Sequence, residues 1–134
     1  MTHSNLRLID ANLNRLREGI RVVEDIFRYI YNDKDTSSKL KSLRHLARTS
    51  NYNELLETRD VGNDVLRASI KSEQNRDDLN SILIANFKRA QESSRVLEEF
   101  TKLSSIKDSE NFKYIRYELY NLETVLTKIT SNSK

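Results

Sequence analysis

Residues 11–29 read ANLNRLREGIRVVEDIFRY, and residues 85–103 read ANFKRAQESSRVLEEFTKL. Seven of the 19 aligned positions are identical, where composition alone would give about one or two. The identical pairs are Ala11/Ala85, Asn12/Asn86, Arg15/Arg89, Glu18/Glu92, Arg21/Arg95, Val22/Val96 and Glu24/Glu98. A weaker match follows each copy, between KSLRH at residues 41–45 and KYIRY at residues 113–117. The chain therefore carries an internal repeat, and each half combines a long helix with a shorter one.

The apolar residues around the first copy recur with helical spacing. Those that share one face of a helical wheel are Leu8, Ile9, Leu13, Leu16, Ile20, Val23, Phe27 and Ile30. This spacing predicts a first helix that is capped by Ser4 or Asn5 and runs to about Tyr31. Asp35 or Thr36 is predicted to cap a second helix that ends near Arg48, and a short helical turn is predicted over residues 51–57. Two further helices are predicted from about Glu73 to Leu103 and from Ser109 to Ile129, with a turn at residues 104–108.

The absence of proline and the 32% of charged residues favour helix along the whole chain. We therefore predict an all-α, four-helix-bundle-like single domain spanning residues 1–134. The repeat predicts two helical hairpins, over about residues 5–50 and 73–130, related by pseudo-two-fold symmetry and joined by a linker at residues 51–72.

Composition excludes several kinds of site. The chain has no cysteine and only two histidines, which argues against disulfides and against thiolate or histidine metal sites. Its two glycines, Gly19 and Gly62, lie too far apart for a P-loop or a dinucleotide fingerprint. No long apolar run predicts a membrane span, and basic residues interleave with acidic ones at a net charge of +3. We expect a cytoplasmic protein that binds neither nucleic acid nor membrane.

The matched polar residues recur at every third position, as Asn12, Arg15, Glu18, Arg21 and Glu24 and again as Asn86, Arg89, Glu92, Arg95 and Glu98. Each step rotates the position by about −60°, so five residues sweep about 240° and cannot all face one pocket. One interpretation is that arginine and glutamate alternate as surface ion pairs. The asparagines fall within the apolar face, where each either fixes helix register through a buried hydrogen bond or binds a ligand.

Five segments of the chain resemble one known family: LIDANLNRLREGIRVVEDIFRY, KLKSLRHLAR, TRDVGNDV, ANFKRAQESSRVLEEFTKL and FKYIRYELYNLE. That family is the small helical hydroxymethylpyrimidine phosphate kinase of a second type, unrelated to the ribokinase-like enzyme. It occurs alone or fused in front of thiamine-phosphate synthase. One departure is that Val65 and Leu66 follow Asp64, where the family usually carries a glycine.

The resemblance implies a thiamine-biosynthetic kinase that transfers a phosphoryl group from ATP to 4-amino-5-hydroxymethyl-2-methylpyrimidine phosphate, with Mg²⁺ as cofactor. The substrate-binding residues it implies are Asn12, Arg15, Asn86, Arg89, Arg59, Arg44, His45, Arg116 and Tyr117. The catalytic candidates are Glu18, Glu92 and Asp60. Asp60 and Asp64 are the candidate metal ligands, although an Asx turn or a helix cap would equally use an aspartate there.

The expected ligands are the pyrimidine phosphate and a nucleotide, and the candidate protein partners are a second copy of the chain or thiamine-phosphate synthase. The sequence leaves open an alternative function, a non-catalytic module that binds the pyrimidine phosphate. It also leaves open whether the two halves share one site or only one half works.

Overall fold

The structure, a computed structural model, describes residues 1–70 and 75–132, which fold mostly into helices and contain no strand. The predicted all-α class is confirmed. The helices are α1 (His3–Asp25), α2 (Lys34–Leu46), α3 (Tyr52–Thr58), α4 (Leu79–Thr101), α5 (Ile106–Glu123) and α6 (Val125–Asn132). A wider π-helical turn, Ile26–Ile30, prolongs α1, and a short 3₁₀ turn, Val61–Asn63, follows α3. No helix within the described ranges is long and apolar enough to cross a membrane.

Helices α1, α2, α4 and α5 each begin at a side chain that accepts a hydrogen bond from the backbone N–H three residues further on. The capping residues are Thr2, Asp33, Asp78 and Ser105. The predicted caps of the first two helices were therefore wrong, because the observed caps, Thr2 and Asp33, lie two or three residues before them.

Three of the predicted boundaries also differ from the structure. The long second-half helix begins at Leu79, where Asp78 caps it. It was predicted from about Glu73, and residues 73–74 lie outside the described part of the chain. Helix α5 begins at Ile106, inside the predicted turn, because Ser105 caps it there. The predicted last helix is interrupted at Thr124, between α5 and α6.

The tightest helix packing lies between α1 and α4. A β-carbon placed on Gly19 would lie 3.1 Å from the Asn86 carbonyl oxygen and 3.5 Å from the Ala90 β-carbon, so the glycine lets the two backbones approach. Helix α2 packs on α1, α5 packs on α4, and α2 also touches α5. These four helices enclose the core, whose largest fully buried side chains include Phe27, Phe87, Phe112, Leu16 and Leu97. The predicted pseudo-two-fold relation of the hairpins stays a prediction.

The predicted linker contains a helix of its own. Helix α3 packs on α1 and buries Leu55 and Thr58. The chain then leaves the core, since every residue from Arg59 to Ile70 is exposed. Residues 71–72 of the predicted linker lie outside the described residues.

Candidate functional site

Two of the matched glutamates are buried and serve the fold. The Arg44 Nε donates to Glu24 Oε1 at 2.7 Å, and its Nη2 donates to Glu24 Oε2 at 3.2 Å. Arg116 Nε and Nη2 likewise donate to Glu98 Oε1 at 3.1 and 2.9 Å. Each pair joins a long helix to the helix that follows it, α1 to α2 and α4 to α5. Because a buried carboxylate needs such a partner, these pairs hold each hairpin together.

The arginines of these pairs are committed to their carboxylates. The pKa of Arg44 is raised, first by its hydrogen bond to Glu24, against the opposing effect of burial. Burial also lowers the pKa of Arg116, but hydrogen bonds to Tyr120 and Glu98 raise it overall. The Arg116 guanidinium further lies 4.8 Å from the centre of the Tyr117 ring. Beside these pairs, the His45 and Tyr117 side chains lie exposed.

Asn12 and Asn86 have the same local geometry. The Asn12 Nδ2 donates to the Leu8 carbonyl at 2.9 Å, and the Asn86 Nδ2 donates to the Ile82 carbonyl at 2.9 Å. Asn12 is buried and Asn86 is half-buried. Among the described residues, neither side-chain oxygen accepts a hydrogen bond. The Nδ2 group of each asparagine is therefore used within its own helix, as the register interpretation expects. The Oδ1 atom of each remains able to accept a hydrogen bond from a ligand.

The matched arginines and glutamates nearer the start of each copy have no partner among the residues that the structure describes. Arg15, Glu18, Arg89 and Glu92 are exposed, and none of them forms an ion pair or a side-chain hydrogen bond within the described part of the chain. Among the described residues, the ion-pair interpretation holds only for Arg95, which lies 3.1 Å from Glu98; Arg21 lies 3.6 Å from Asp25 instead of pairing with Glu24. The described contacts therefore assign these four charged side chains no part in stabilising the fold.

Five of the seven matched pairs lie on one outer surface, which we call the matched face. It comprises Ala11, Arg15, Glu18, Arg21 and Val22 of α1 and Ala85, Arg89, Glu92, Arg95 and Val96 of α4. On α1, Gly19 points to α4 and Glu24 points to α2, so the matched face lies on the side away from the core. The core positions of the two copies have meanwhile diverged, as in Leu16/Ala90 and Ile20/Ser94. A requirement other than core packing therefore keeps the outer residues alike.

The packing at Gly19 brings parts of the two copies together. Gly19 contacts Asn86 and Ala90, which places Asn86 and Arg89 beside it. Arg15 lies one turn before Gly19, about 6 Å along the axis. Asn12 lies about 10 Å from Gly19 along the same axis. The structure therefore gathers Arg15, Arg89 and Asn86 around the α1–α4 contact, with Asn12 at its edge.

The loop after α3 is held to the first half of α1. Arg59 donates to both carboxylate oxygens of Asp10, from Nε to Oδ2 at 2.9 Å and from Nη2 to Oδ1 at 2.8 Å. The hydrogen bond to Asp10 raises the pKa of Arg59, because its effect is larger than the opposing effect of burial. Sequence reasoning missed Asp10. The available signal was the position of Asp10 directly after the apolar Ile9. A carboxylate that is buried at such a position needs a cationic partner.

The two loop aspartates hold the loop in shape. The Asn63 Nδ2 donates to Asp60 Oδ2 at 2.8 Å, and the Leu66 backbone N–H donates to Asp64 Oδ1 at 3.0 Å. The Asp64 contact is an Asx turn, and the next described helix is capped by Asp78 instead. Among the described residues, no three carboxylates or histidines converge as a metal site. Asp60 and Asp64 each still have a second, exposed oxygen.

An open cleft of about 360 Å³ lies beside the π turn. It is lined by Glu24, Arg28, Asn32, Asp33, Lys34, Ser37, Ser38 and Lys41. Sequence reasoning missed it, because a widened helical turn leaves no mark in the apolar spacing. Arg28 lies about 20 Å beyond Arg15 along the helix, which is too far for the two to hold reacting phosphates together in one copy.

A model of the ThiD2 family matches residues 7–125. The chain belongs to the ThiD2 family. This ThiD2 chain is 42% identical over 122 residues to thiamine-phosphate synthase of Thermosynechococcus vestitus, covering 90% of the chain and 35% of the relative. It is 40% identical over 126 residues to thiamine-phosphate synthase of Prochlorococcus marinus, covering 93% of the chain and 36% of the relative. The ThiD2 chain thus spans about a third of the length of these curated relatives. No solved structure matches it.

Proposed function

We propose that this ThiD2 chain is a hydroxymethylpyrimidine phosphate kinase of thiamine biosynthesis. The reaction moves the terminal phosphoryl group of ATP onto the phosphate of 4-amino-5-hydroxymethyl-2-methylpyrimidine phosphate, which yields the pyrophosphate and ADP. The observation that supports it is a pair of exposed arginines, Arg15 and Arg89, which have no partner in the described part of the chain and lie beside Asn86, whose carboxamide oxygen accepts no hydrogen bond there. The similarity to thiamine-phosphate synthases supports the pathway.

The chemistry suits the residues that the helices bring together. Phosphoryl transfer depends on charge neutralisation and alignment, and two guanidinium forks supply both in a chain without a glycine-rich loop. The free oxygen of Asn86 or Asn12 can accept a hydrogen bond from the pyrimidine amino group. Glu18 or Glu92 orients the attacking phosphate by accepting a hydrogen bond from its protonated oxygen.

The loop aspartates offer oxygen ligands that suit a magnesium ion. Mg²⁺ at a phosphate site needs one or two carboxylates, with phosphate and water oxygens completing its shell. The free oxygens of Asp60 and Asp64 meet that requirement, and the bound ion would neutralise phosphate charge. Arg59 keeps the loop against α1 through Asp10 and so positions both carboxylates. We propose Asp60 and Asp64 as its protein ligands.

The test is ADP release measured with ATP, Mg²⁺ and the pyrimidine monophosphate. Arg15→Met and Arg89→Met are each expected to lower kcat/KM by at least tenfold, since each removes a fork from the phosphate. Arg17→Met is the matched control, because Arg17 is exposed on the same helix and has glutamine, Gln91, at the equivalent position of the second copy. An equal loss in all three variants would show that the effect is general charge, not a site.

A non-catalytic binding module is the second candidate. The observation that favours it is that one carboxylate oxygen of each loop aspartate already accepts a hydrogen bond within the loop. Calorimetric titration with the monophosphate separates the two functions. Binding without turnover, lost in Asn12→Leu at an unchanged melting temperature, would establish the module and overturn the kinase.

A further inference from the structure

The matched face is too large for the proposed substrate alone. Its residues run from Ala11 to Val22 on α1 and from Ala85 to Val96 on α4, which is about 16 Å along each axis. Packed helix axes lie about 8–10 Å apart. A pyrimidine phosphate touches only part of such an area. The pyrimidine phosphate alone therefore does not account for identity at all ten positions, whereas a protein surface laid across both helices reaches them all.

The charges of this face are complementary to themselves. Within the described ranges, two arginines and two glutamates of this face have no partner, namely Arg15, Arg89, Glu18 and Glu92. In each copy of the repeat, arginine and glutamate lie three residues apart. A two-fold rotation of this surface onto itself can therefore set the arginines of one molecule against the glutamates of the other. A nucleic acid or a uniformly charged protein would instead favour one sign.

The uncharged residues of the face also suit close contact with protein. Ala11 and Ala85 are half-buried and add almost no bulk. Val22 is 38% exposed, and Val96 is half-buried on the neighbouring helix. These small side chains leave room for a second helical surface to approach the charged residues beside them.

We propose that a second copy of this chain packs on the matched face, so that α1 and α4 of both copies form the interface. The arginines that the proposed function assigns to the substrate phosphate then lie between the copies, and the second copy closes a site that is open on one chain. This second step rests on the proposed function, whereas the docking itself does not.

Charge reversal tests the docking. Glu18→Arg/Glu92→Arg makes the unpartnered charges all positive, and Arg15→Glu/Arg89→Glu makes them all negative. Wild type is expected to sediment at twice the 15.7 kDa chain mass, while each double variant alone has its dimer dissociation constant raised at least 100-fold. An equimolar mixture of the two variants should form dimers again, since every contact is then between opposite charges.

A matched control separates this effect from charge change in general. Glu54→Arg/Glu110→Arg makes the same charge change at exposed sites on α3 and α5 and should leave the dimer intact. Melting curves by circular dichroism confirm that each variant folds. A monomeric wild type would overturn the proposal, as would dimers that persist in both double variants. A wild type that is monomeric alone but binds thiamine-phosphate synthase through this face would also overturn it in favour of that partner.

Dilution separates this inference from the proposed function. If the second copy completes the site, turnover per chain falls in parallel with the dimer fraction as the wild type is diluted. Constant turnover across that transition would place the site within one chain and overturn the completed site. A dimer that binds the monophosphate without turnover at any concentration would overturn the kinase and leave the docking standing.

Discussion

Arg44→Met should be among the most destabilising single changes in the chain. Glu24 is only 1% exposed, and both of its carboxylate oxygens accept hydrogen bonds from Arg44. Removing the guanidinium leaves the buried Glu24 carboxylate without the side chain that donates to both of its oxygens. Breaking a buried pair in this way costs about 3–5 kcal/mol, a large share of a typical unfolding free energy of about 5–15 kcal/mol.

The double variant Glu24→Leu/Arg44→Met distinguishes the cost of the orphaned charge from the value of the pair. Replacing both partners with apolar side chains removes the desolvation penalty, so the double variant should be more stable than Arg44→Met alone. We expect it to lie within about 2 kcal/mol of wild type. The difference between the two variants measures the penalty of burying an unpaired carboxylate.

The assay is urea unfolding followed by far-ultraviolet circular dichroism, at one fixed chain concentration because association would add to stability. Lys102→Met is the control. It removes a 2.9 Å ion pair with Glu99 in which both side chains are half-exposed. Such a surface pair contributes about 0.5 kcal/mol or less. If Arg44→Met costs no more than Lys102→Met, the argument from burial is refuted.

Two further predictions concern the helix contacts and caps. Gly19→Ala gains about 1 kcal/mol of helix preference but presses its β-carbon to 3.1 Å from the Asn86 carbonyl, and we expect a lower melting temperature. Gly62→Ala has its nearest neighbouring atom at 4.0 Å and should not show this loss. Burial opposes ionisation of Asp33, but hydrogen bonds from Thr36 lower its pKa overall. The ionised cap therefore stabilises the fold fully at pH values above the ordinary pKa of aspartate, and this stabilisation is lost as the pH falls through the lowered pKa of Asp33. Asp33→Ala should lower the free energy of unfolding by about 1 kcal/mol at neutral pH and by less in acid, as measured by urea unfolding.

The helices were predictable because their apolar spacing is strong, but their ends were not. Thr2 and Ser4 are both good capping residues, and so are Asp33 and Asp35. Local preference does not choose between neighbours of equal quality. The choice depends on the direction in which the preceding chain enters, and that depends on tertiary packing.

The candidate site was likewise predictable only where a local sequence pattern records it. The repeat pointed to the matched polar residues, yet it did not show that Glu24 is buried while Glu18 is exposed. Those two positions lie about 120° apart on the wheel, so their fates depend on where α2 packs. The Asp10–Arg59 pair joins residues 49 positions apart, and no local pattern records such a contact.

The identity of the outer residues bears on whether both halves work. Arg89 and Glu92 are exposed and have no partner among the described residues, so substituting them would cost the fold almost nothing. If the second half were a degenerate copy, these positions would have been free to diverge, as the buried position Ile20/Ser94 has done. They have instead kept the residues of Arg15 and Glu18. A surface in use on both helices explains that identity, which is why Arg89→Met should impair turnover as severely as Arg15→Met.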